Sequence, residues 1–289
     1  MTTLAVAGTA FVGASALVGA RELLRRQAAI ARRVIGKPLG EDAPHADRIW
    51  KRAYGDPIAL LVLGDSIAAG LGAEHRKHTL GGRLAKGVAA ATHRAVDLRV
   101  AAVVGSESSA LPGQLDALPA TYRADLAVIV VGGNDVTHRV PVADSVAHLI
   151  EVVVRLRAQG TEVVVGTCPD LGALRPVPQP LRSLGSRASR QLAQAQAEAA
   201  LAAGAYVVSL ADVVGPFFVT NPDEMFSLDR FHPSALGYRR TAEAMLPSVL
   251  AALGHRDRVP FGHQAPEPAP EATPEPAPEV AHQKGGPVD

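Results

Sequence analysis

The sequence has very little cysteine, few aromatic residues and almost no net charge. Its single cysteine, Cys168, excludes an intrachain disulfide and a cysteine-based metal site. The 29 Lys and Arg residues nearly balance 28 Asp and Glu residues, so the chain lacks the basic excess with which nucleic-acid-binding proteins neutralise phosphates. Phe, Tyr and Trp make up only 4% of the residues, so the core must consist mainly of Ala, Val and Leu. We expect a globular protein that does not bind nucleic acid.

The N-terminal segment, residues 1–24, is apolar. Its uncharged run Leu4–Ala20 would span roughly 25 Å as a helix, close to the hydrocarbon core of a bilayer. This run predicts a membrane anchor, with a signal peptide or a soluble helix as the alternatives. Residues 25–56 read as a basic linker, whose arginines favour the cytoplasmic face by the positive-inside tendency.

The C-terminal segment, residues 255–289, is rich in Pro, Glu and Ala. Such a composition buries little apolar surface, and each proline lacks a backbone N–H donor. We expect this segment to be a disordered tail.

The middle of the chain, residues 57–254, alternates short apolar runs with stretches of helical length. The predicted strands are Ile58–Leu63, Leu98–Val104, Leu126–Val131, Glu162–Gly166 and Tyr206–Leu210. Their nearly continuous apolar character is typical of parallel strands that are covered on both faces. The pattern predicts an α/β fold, a three-layer α/β/α sandwich around a parallel five-stranded sheet.

Polar residues follow several of the predicted strands, and ligands bind at the carboxyl ends of strands in such sheets. Ser66 follows the first strand within Gly64-Asp65-Ser66. It is a nucleophile on one interpretation, and on the other Asp65 or Ser66 only caps a helix. Gly105 follows the second strand. Asn134 follows the third within Gly132-Gly133-Asn134-Asp135, and its amide N–H can stabilise an oxyanion.

A carboxylate and an imidazole lie close together near the last predicted helix, in Asp229-Arg230-Phe231-His232. An Asp three residues before a His can hold Nδ1–H and leave Nε2 facing a serine. Asp135 is a competing carboxylate, although a structural role is the better interpretation beside Asn134. A nucleophile, oxyanion donors and an oriented base together make up the parts needed for acyl transfer.

These four blocks, in this order, resemble those of the SGNH (GDSL-like) hydrolases, and the combination is similar to exported or membrane-tethered esterases of actinobacteria. The resemblance covers about 190 residues. It implies a flavodoxin-like sheet, no metal and no organic cofactor. It also implies a location in the cell envelope, in contrast to the cytoplasmic face that the arginines favour.

The sequence therefore predicts a serine esterase that acts, through an acyl-enzyme, on a small-molecule or lipid ester of short to medium acyl chain length. Ser66, Asp229 and His232 are the predicted catalytic residues, and the Ser66 and Gly105 N–H groups with the Asn134 side chain form the predicted oxyanion hole. An acyltransferase to a sugar or glycerol hydroxyl, and a thioesterase, share this chemistry and stay open. The non-enzymatic alternative is a membrane-tethered binding module with a dead site. A nucleotide-binding protein is disfavoured because no Gly-x-Gly-x-x-Gly or Walker pattern follows any strand.

Overall fold

The computed structural model describes the backbone of residues 3–36 and 40–267 and the side chains of residues 18–36 and 40–267. The strands in this part of the chain are β1 (Arg48–Trp50), β2 (Ile58–Gly64), β3 (Val96–Val100), β4 (Leu126–Val130), β5 (Glu162–Gly166), β6 (Tyr206–Val208) and β7 (His263–Gln264). The longer helices are α1 (Thr3–Ile35), α3 (Leu80–Thr92), α6 (Val142–Ala158), α7 (Leu181–Ala202) and α11 (Ala235–Ala252). The shorter ones are α2 (Ser66–Ala69), α4 (Leu111–Asp116), α5 (Gly133–His138), α8 (Leu210–Val213), α9 (Gly215–Thr220) and α10 (Pro222–Met225).

The strands form one sheet in the order β1-β3-β2-β4-β5-β6-β7. The five inner strands are parallel, and they are the five that the apolar runs predict. Parallel pairing brings their carboxyl ends to one edge, where the chain passes into the loops that carry the predicted site residues.

Helices cover both faces of the sheet, which confirms the three-layer α/β/α architecture. Leu60 and Val62 of β2 face α3 and α11, while Leu61 and Leu63 face α4, α6 and α7. Both faces of β2 are therefore buried, which explains why its sequence lacks a polar alternation.

Two short strands extend the sheet beyond the predicted five. β1 pairs antiparallel with β3, and β7 pairs antiparallel with β6. Both lie outside residues 57–254: β1 lies in the predicted linker and β7 in the first part of the predicted disordered tail. Strands of two or three residues are too short to produce a recognisable alternation in sequence. The rest of the predicted tail, residues 268–289, lies outside the described residues.

Helix α1 contains the apolar run that predicts a membrane anchor. Its second half docks on the domain through Gln27, whose side chain donates to the Gln179 carbonyl and accepts the Leu181 N–H at 3.0 Å. The side chains of residues 4–17, on which the anchor prediction mainly rests, lie outside the described residues. Within the described part of the chain, no helix is both long enough and apolar enough to cross a bilayer. The anchor therefore has no structural support and stays a prediction.

Candidate active site

Ser66 lies at the sharp turn from β2 into α2. The turn requires glycine at position 64, because φ is +134° and a Cβ there would lie 1.9 Å from the Val130 carbonyl oxygen. Asp65 is the N-cap of α2 and accepts the Ile67 N–H at 3.0 Å. The capping role that the sequence leaves open for either residue thus belongs to Asp65, and the Ser66 hydroxyl is available for chemistry.

His232 lies in the segment between α10 and α11 and contacts Ser66 directly. Its Nε2 is 2.9 Å from Ser66 Oγ, and its Nδ1 is 2.6 Å from Asp229 Oδ2. An ionised carboxylate can only accept a hydrogen bond, so Nδ1 is the protonated nitrogen and Nε2 can accept the Ser66 proton. The structure therefore joins the three residues that the sequence predicts as catalytic.

Asp229 is held as an anion by four hydrogen bonds. Oδ2 receives the His232 ring N–H, while Oδ1 accepts the Phe231 and His232 backbone N–H groups, both at 2.9 Å, and the Ser227 hydroxyl at 2.8 Å. Burial alone would raise the pKa of Asp229, but these hydrogen bonds outweigh it and lower the pKa from 3.8 to about 2. The carboxylate therefore stays charged across the range in which proteins work.

Asn134 lies in the first turn of α5, directly after β4. Its Nδ2 donates to the Ser106 carbonyl at 2.9 Å. Because an amide NH₂ has two donors, a second N–H remains for an oxyanion, and Asn134 lines the same cavity as Ser66.

Gly105 lies in the exposed turn after β3, with φ +81°. It is next to Ser106, which Asn134 binds, but it is not among the described residues that line the cavity at Ser66. The structure thus brings Ser66 and Asn134 together and places Gly105 one residue away from the Asn134 contact.

Asp135, the competing carboxylate, has a different role. It accepts the Ser108 backbone N–H at 3.1 Å and also the Ser108 hydroxyl, which lies 2.9 Å from Ser145 Oγ. Asp135 therefore binds the loop after β3, and Asp229 is the carboxylate on the histidine.

Asp65 is a buried carboxyl group whose electrostatic state the sequence does not indicate. Burial raises its pKa from 3.8 to about 6. The Ile67 N–H and the nearby His232 oppose this rise, whereas the negative charge of Asp135 adds to it. Asp65 also lines the cavity at Ser66, so a titrating group is built into the nucleophile turn.

The cavity beside Ser66 and His232 is largely apolar. Its volume is about 80 Å³, and its apolar walls come from Leu171, Leu174, Leu210, Val214, Phe218, Phe226 and Phe231. Phe218 and Phe226 meet edge to face, with ring centroids 4.9 Å apart. The sequence does not single out these residues, because they come from three separate stretches (171–174, 210–218 and 226–231) and look like ordinary core positions.

In the described part of the chain, no cluster of three or more His, Cys, Asp or Glu side chains could hold a metal ion. Cys168, next to the end of β5, is fully buried, and burial raises the pKa of its thiol, so it is a poor nucleophile.

Comparison with known proteins agrees with this geometry. A model of the GDSL-like Lipase/Acylhydrolase family matches residues 62–240. The chain is 38% identical over 274 residues to the GDSL-like esterase Rv1075c of Mycobacterium tuberculosis, covering 91% of this chain and 87% of that protein.

Solved structures share the fold at lower identity. TesA matches with a TM-score of 0.55 and 24% identity over 67% of this chain and 99% of its own. The esterase EstA of a Pseudoalteromonas species matches with a TM-score of 0.54 and 20% identity over 68% of this chain and 98% of its own. A variant of Axe2, an acetyl xylan esterase of Geobacillus stearothermophilus, matches with a TM-score of 0.53 and 18% identity over 71% of this chain and 99% of its own. The chain belongs to the GDSL-like lipase/acylhydrolase family and is a carboxylic ester hydrolase.

Proposed function

We propose that the protein is a serine esterase that cleaves short- to medium-chain esters through an acyl-enzyme on Ser66. The observation that carries this proposal is the continuous hydrogen-bonded chain from Ser66 Oγ through His232 to Asp229. In the first step His232 Nε2 removes the hydroxyl proton while Oγ attacks the ester carbonyl carbon.

The tetrahedral intermediate carries its negative charge on the former carbonyl oxygen. The second Asn134 N–H and the backbone N–H of Ser66, at the start of α2, are the proposed donors, with the Gly105 N–H as a third. The imidazolium then gives its proton to the departing alcohol, which leaves the acyl group on Ser66. Water repeats the attack with His232 again as base, and the acid and free Ser66 are released.

The proposed acyl length follows from the apolar cavity. In the liquid one water molecule takes up about 30 Å³, and a methylene group is of similar size, so a cavity of about 80 Å³ accommodates about three of them. We therefore expect the preferred acyl chain to lie at the short end of the range, at about four carbons with the carbonyl carbon counted.

Hydrolysis of a p-nitrophenyl ester series from acetate to dodecanoate tests this proposal. We expect Ser66→Ala to abolish turnover and labelling by a fluorophosphonate, and Asn134→Ala to keep a residue of activity after a loss of about 10²–10³ in kcat. Full activity of Ser66→Ala would refute the assignment.

Ser248→Ala is the matched control for the Ser66 variant. Ser248 is also buried and its Oγ lies 2.7 Å from His263 Nδ1, so it too is a serine bonded to a histidine. No carboxylate of the described residues bonds that histidine, and the pair does not line the Ser66 cavity. We expect Ser248→Ala to keep its activity.

Two related activities use the same acyl-enzyme. An acyltransferase differs in the acceptor that attacks the acyl-enzyme, and a thioesterase differs in the leaving group. Acyl transfer to glycerol or a sugar would give an acylated acceptor in place of free acid, and a thioesterase would favour a thioester of the same acyl chain. Product ratios with and without glycerol, and paired ester and thioester substrates, separate these activities from simple ester hydrolysis.

A further inference from the structure

Gln114 is a buried side chain that makes two hydrogen bonds to the nucleophile turn. Its Oε1 accepts the Gly64 N–H at 2.9 Å, and its Nε2 donates to the Gly64 carbonyl at 2.8 Å. The side chain is 5% exposed, so water does not replace these bonds readily. Gly64 lies only two residues before Ser66.

The need for this contact arises from the end of the sheet. β3 pairs with β2 up to the partners Val62 and Val100, and beyond them two backbone bonds continue, from the Ala101 N–H to the Val62 carbonyl at 2.9 Å and from the Val103 N–H to the Gly64 carbonyl at 3.2 Å. No backbone carbonyl of the described residues accepts the Gly64 N–H. The Gln114 amide accepts this N–H and shares the Gly64 carbonyl with Val103, so it completes the hydrogen bonding of Gly64 where β3 no longer does.

Gln114 also lies on α4, which follows the loop that contains Gly105. Its Nε2 is 3.5 Å from Ser106 Oγ, and Asn134 donates to the Ser106 carbonyl. One glutamine therefore contacts both the turn that carries the nucleophile and the loop that Asn134 binds.

We propose that Gln114 is a positioning residue for acyl transfer, which holds the Ser66 turn and the Gly105 loop in their working relation. This inference rests on the proposed function. Gln114 does not line the cavity at Ser66, so its contribution is to the placement of the reacting groups and not to substrate contact.

Removal of the two bonds should change kcat and leave KM nearly constant. Gln114→Met keeps the length of the side chain but neither donates nor accepts a backbone hydrogen bond. Because a displacement of about 1 Å at reacting groups costs roughly 10²-fold in rate, we expect kcat to fall by about 10- to 100-fold. The midpoint of the pH–rate profile should stay in place, since the His232–Asp229 contact is untouched.

Gln114→Glu provides a second readout that a purely structural role would not produce. A carboxylate still accepts the Gly64 N–H but cannot donate to the Gly64 carbonyl, whereas the protonated acid can do both. The ratio of kcat for Gln114→Glu to kcat for the wild type should therefore rise as the pH falls.

Thr161→Val is the matched control. Thr161 is fully buried, and its hydroxyl donates to the Ala124 carbonyl at 2.8 Å at the opposite end of the strands. The Thr161→Val variant loses a buried side-chain-to-backbone hydrogen bond, as Gln114→Met does, but far from Ser66, so its kcat should stay near the wild-type value. Melting temperatures and circular dichroism identify a variant that does not fold; if Gln114→Met fails, Gln114→Glu carries the test.

The inference is overturned if the kcat of Gln114→Met equals that of Thr161→Val, or if the kcat of Gln114→Glu equals it at every pH. It is also overturned if only KM rises. Either result with an inactive Ser66→Ala rejects the role of Gln114 alone, while an active Ser66→Ala rejects the proposed function itself.

Discussion

Replacing Asp65 with asparagine should stabilise the folded protein at neutral pH and leave its stability unchanged in acid. The carboxyl group is 3% exposed, and its burial raises its pKa from 3.8 to about 6. Asn is as good an N-cap as Asp, so the hydrogen bond to the Ile67 N–H is retained. The substitution therefore removes a buried negative charge and little else.

The magnitude and its sign follow from proton linkage. Below about pH 3 the carboxyl group is protonated in both states and does not distinguish the two proteins. Between 3.8 and about 6 the unfolded chain has lost the proton that the folded chain keeps, so the stability of the wild type falls as the pH rises. Each pKa unit corresponds to about 1.4 kcal/mol, so Asp65→Asn should gain up to about 3 kcal/mol above pH 6.

Urea unfolding of the wild type and Asp65→Asn at a series of pH values measures this difference. Other titrating groups, including Asp229, occur in both proteins, and their effects cancel in the comparison. Asp125→Asn gives the baseline for the loss of one exposed negative charge, because Asp125 also accepts a backbone N–H, from Ala59 at 2.7 Å. A difference that is equal at pH 4 and pH 8, or a variant less stable than the wild type at pH 8, would show that the buried charge does not have the assigned cost.

Two further predictions concern the base and the acyl cavity. Asp229→Asn should lower kcat by about 10⁴-fold, because an amide no longer orients the imidazole as a base. Since the pKa of Asp229 is lowered to about 2, a loss of wild-type activity between pH 4 and 7 should follow another group; a carboxyl-carbon NMR signal that shows Asp229 taking up a proton between pH 4 and 7 would contradict this. Phe218→Leu should favour longer acyl chains, by about tenfold in the ratio of octanoate to butyrate kcat/KM, because it shortens a cavity wall. The neighbouring Phe217, which is exposed and lies against Arg240, supplies the control Phe217→Leu, and an equal shift in both variants would refute the cavity assignment.

The sequence was sufficient for the central sheet because burial on both faces leaves a local signature. β2, β4, β5 and β6 are short apolar runs, and helical stretches of ordinary length separate the strands, so the order of layers follows from pattern alone. In β3 the exposed Asp97 and Arg99 alternate with buried apolar residues, so the apolar run Leu98–Val104 marks this strand only in part. β1 and β7 carry no such signature, since two or three residues that pair at a sheet edge have no period to detect.

The chemistry of the site was also partly visible, because its parts follow strand ends in order. Ser66, Asn134 and the Asp229/His232 pair could be assigned before any distance was known, and the distances from His232 to Ser66 and Asp229 now support that assignment. Gln114 could not be found in this way: its role depends on β3 leaving the ladder, and one glutamine in a short helix gives no sign of that.

The sequence by itself thus determined the fold class, the family and the residues that are candidates for acyl transfer, since these depend on residue type and on order along the chain. Only the tertiary structure decided that Asp65 and not Ser66 caps α2, that Asp135 binds a loop, and that an apolar cavity adjoins the serine. The physical reason is that hydrogen-bond partners, burial and the pKa of Asp65 depend on residues far apart in sequence, such as Asp65 and His232, which meet only when the strands align at one edge of the sheet.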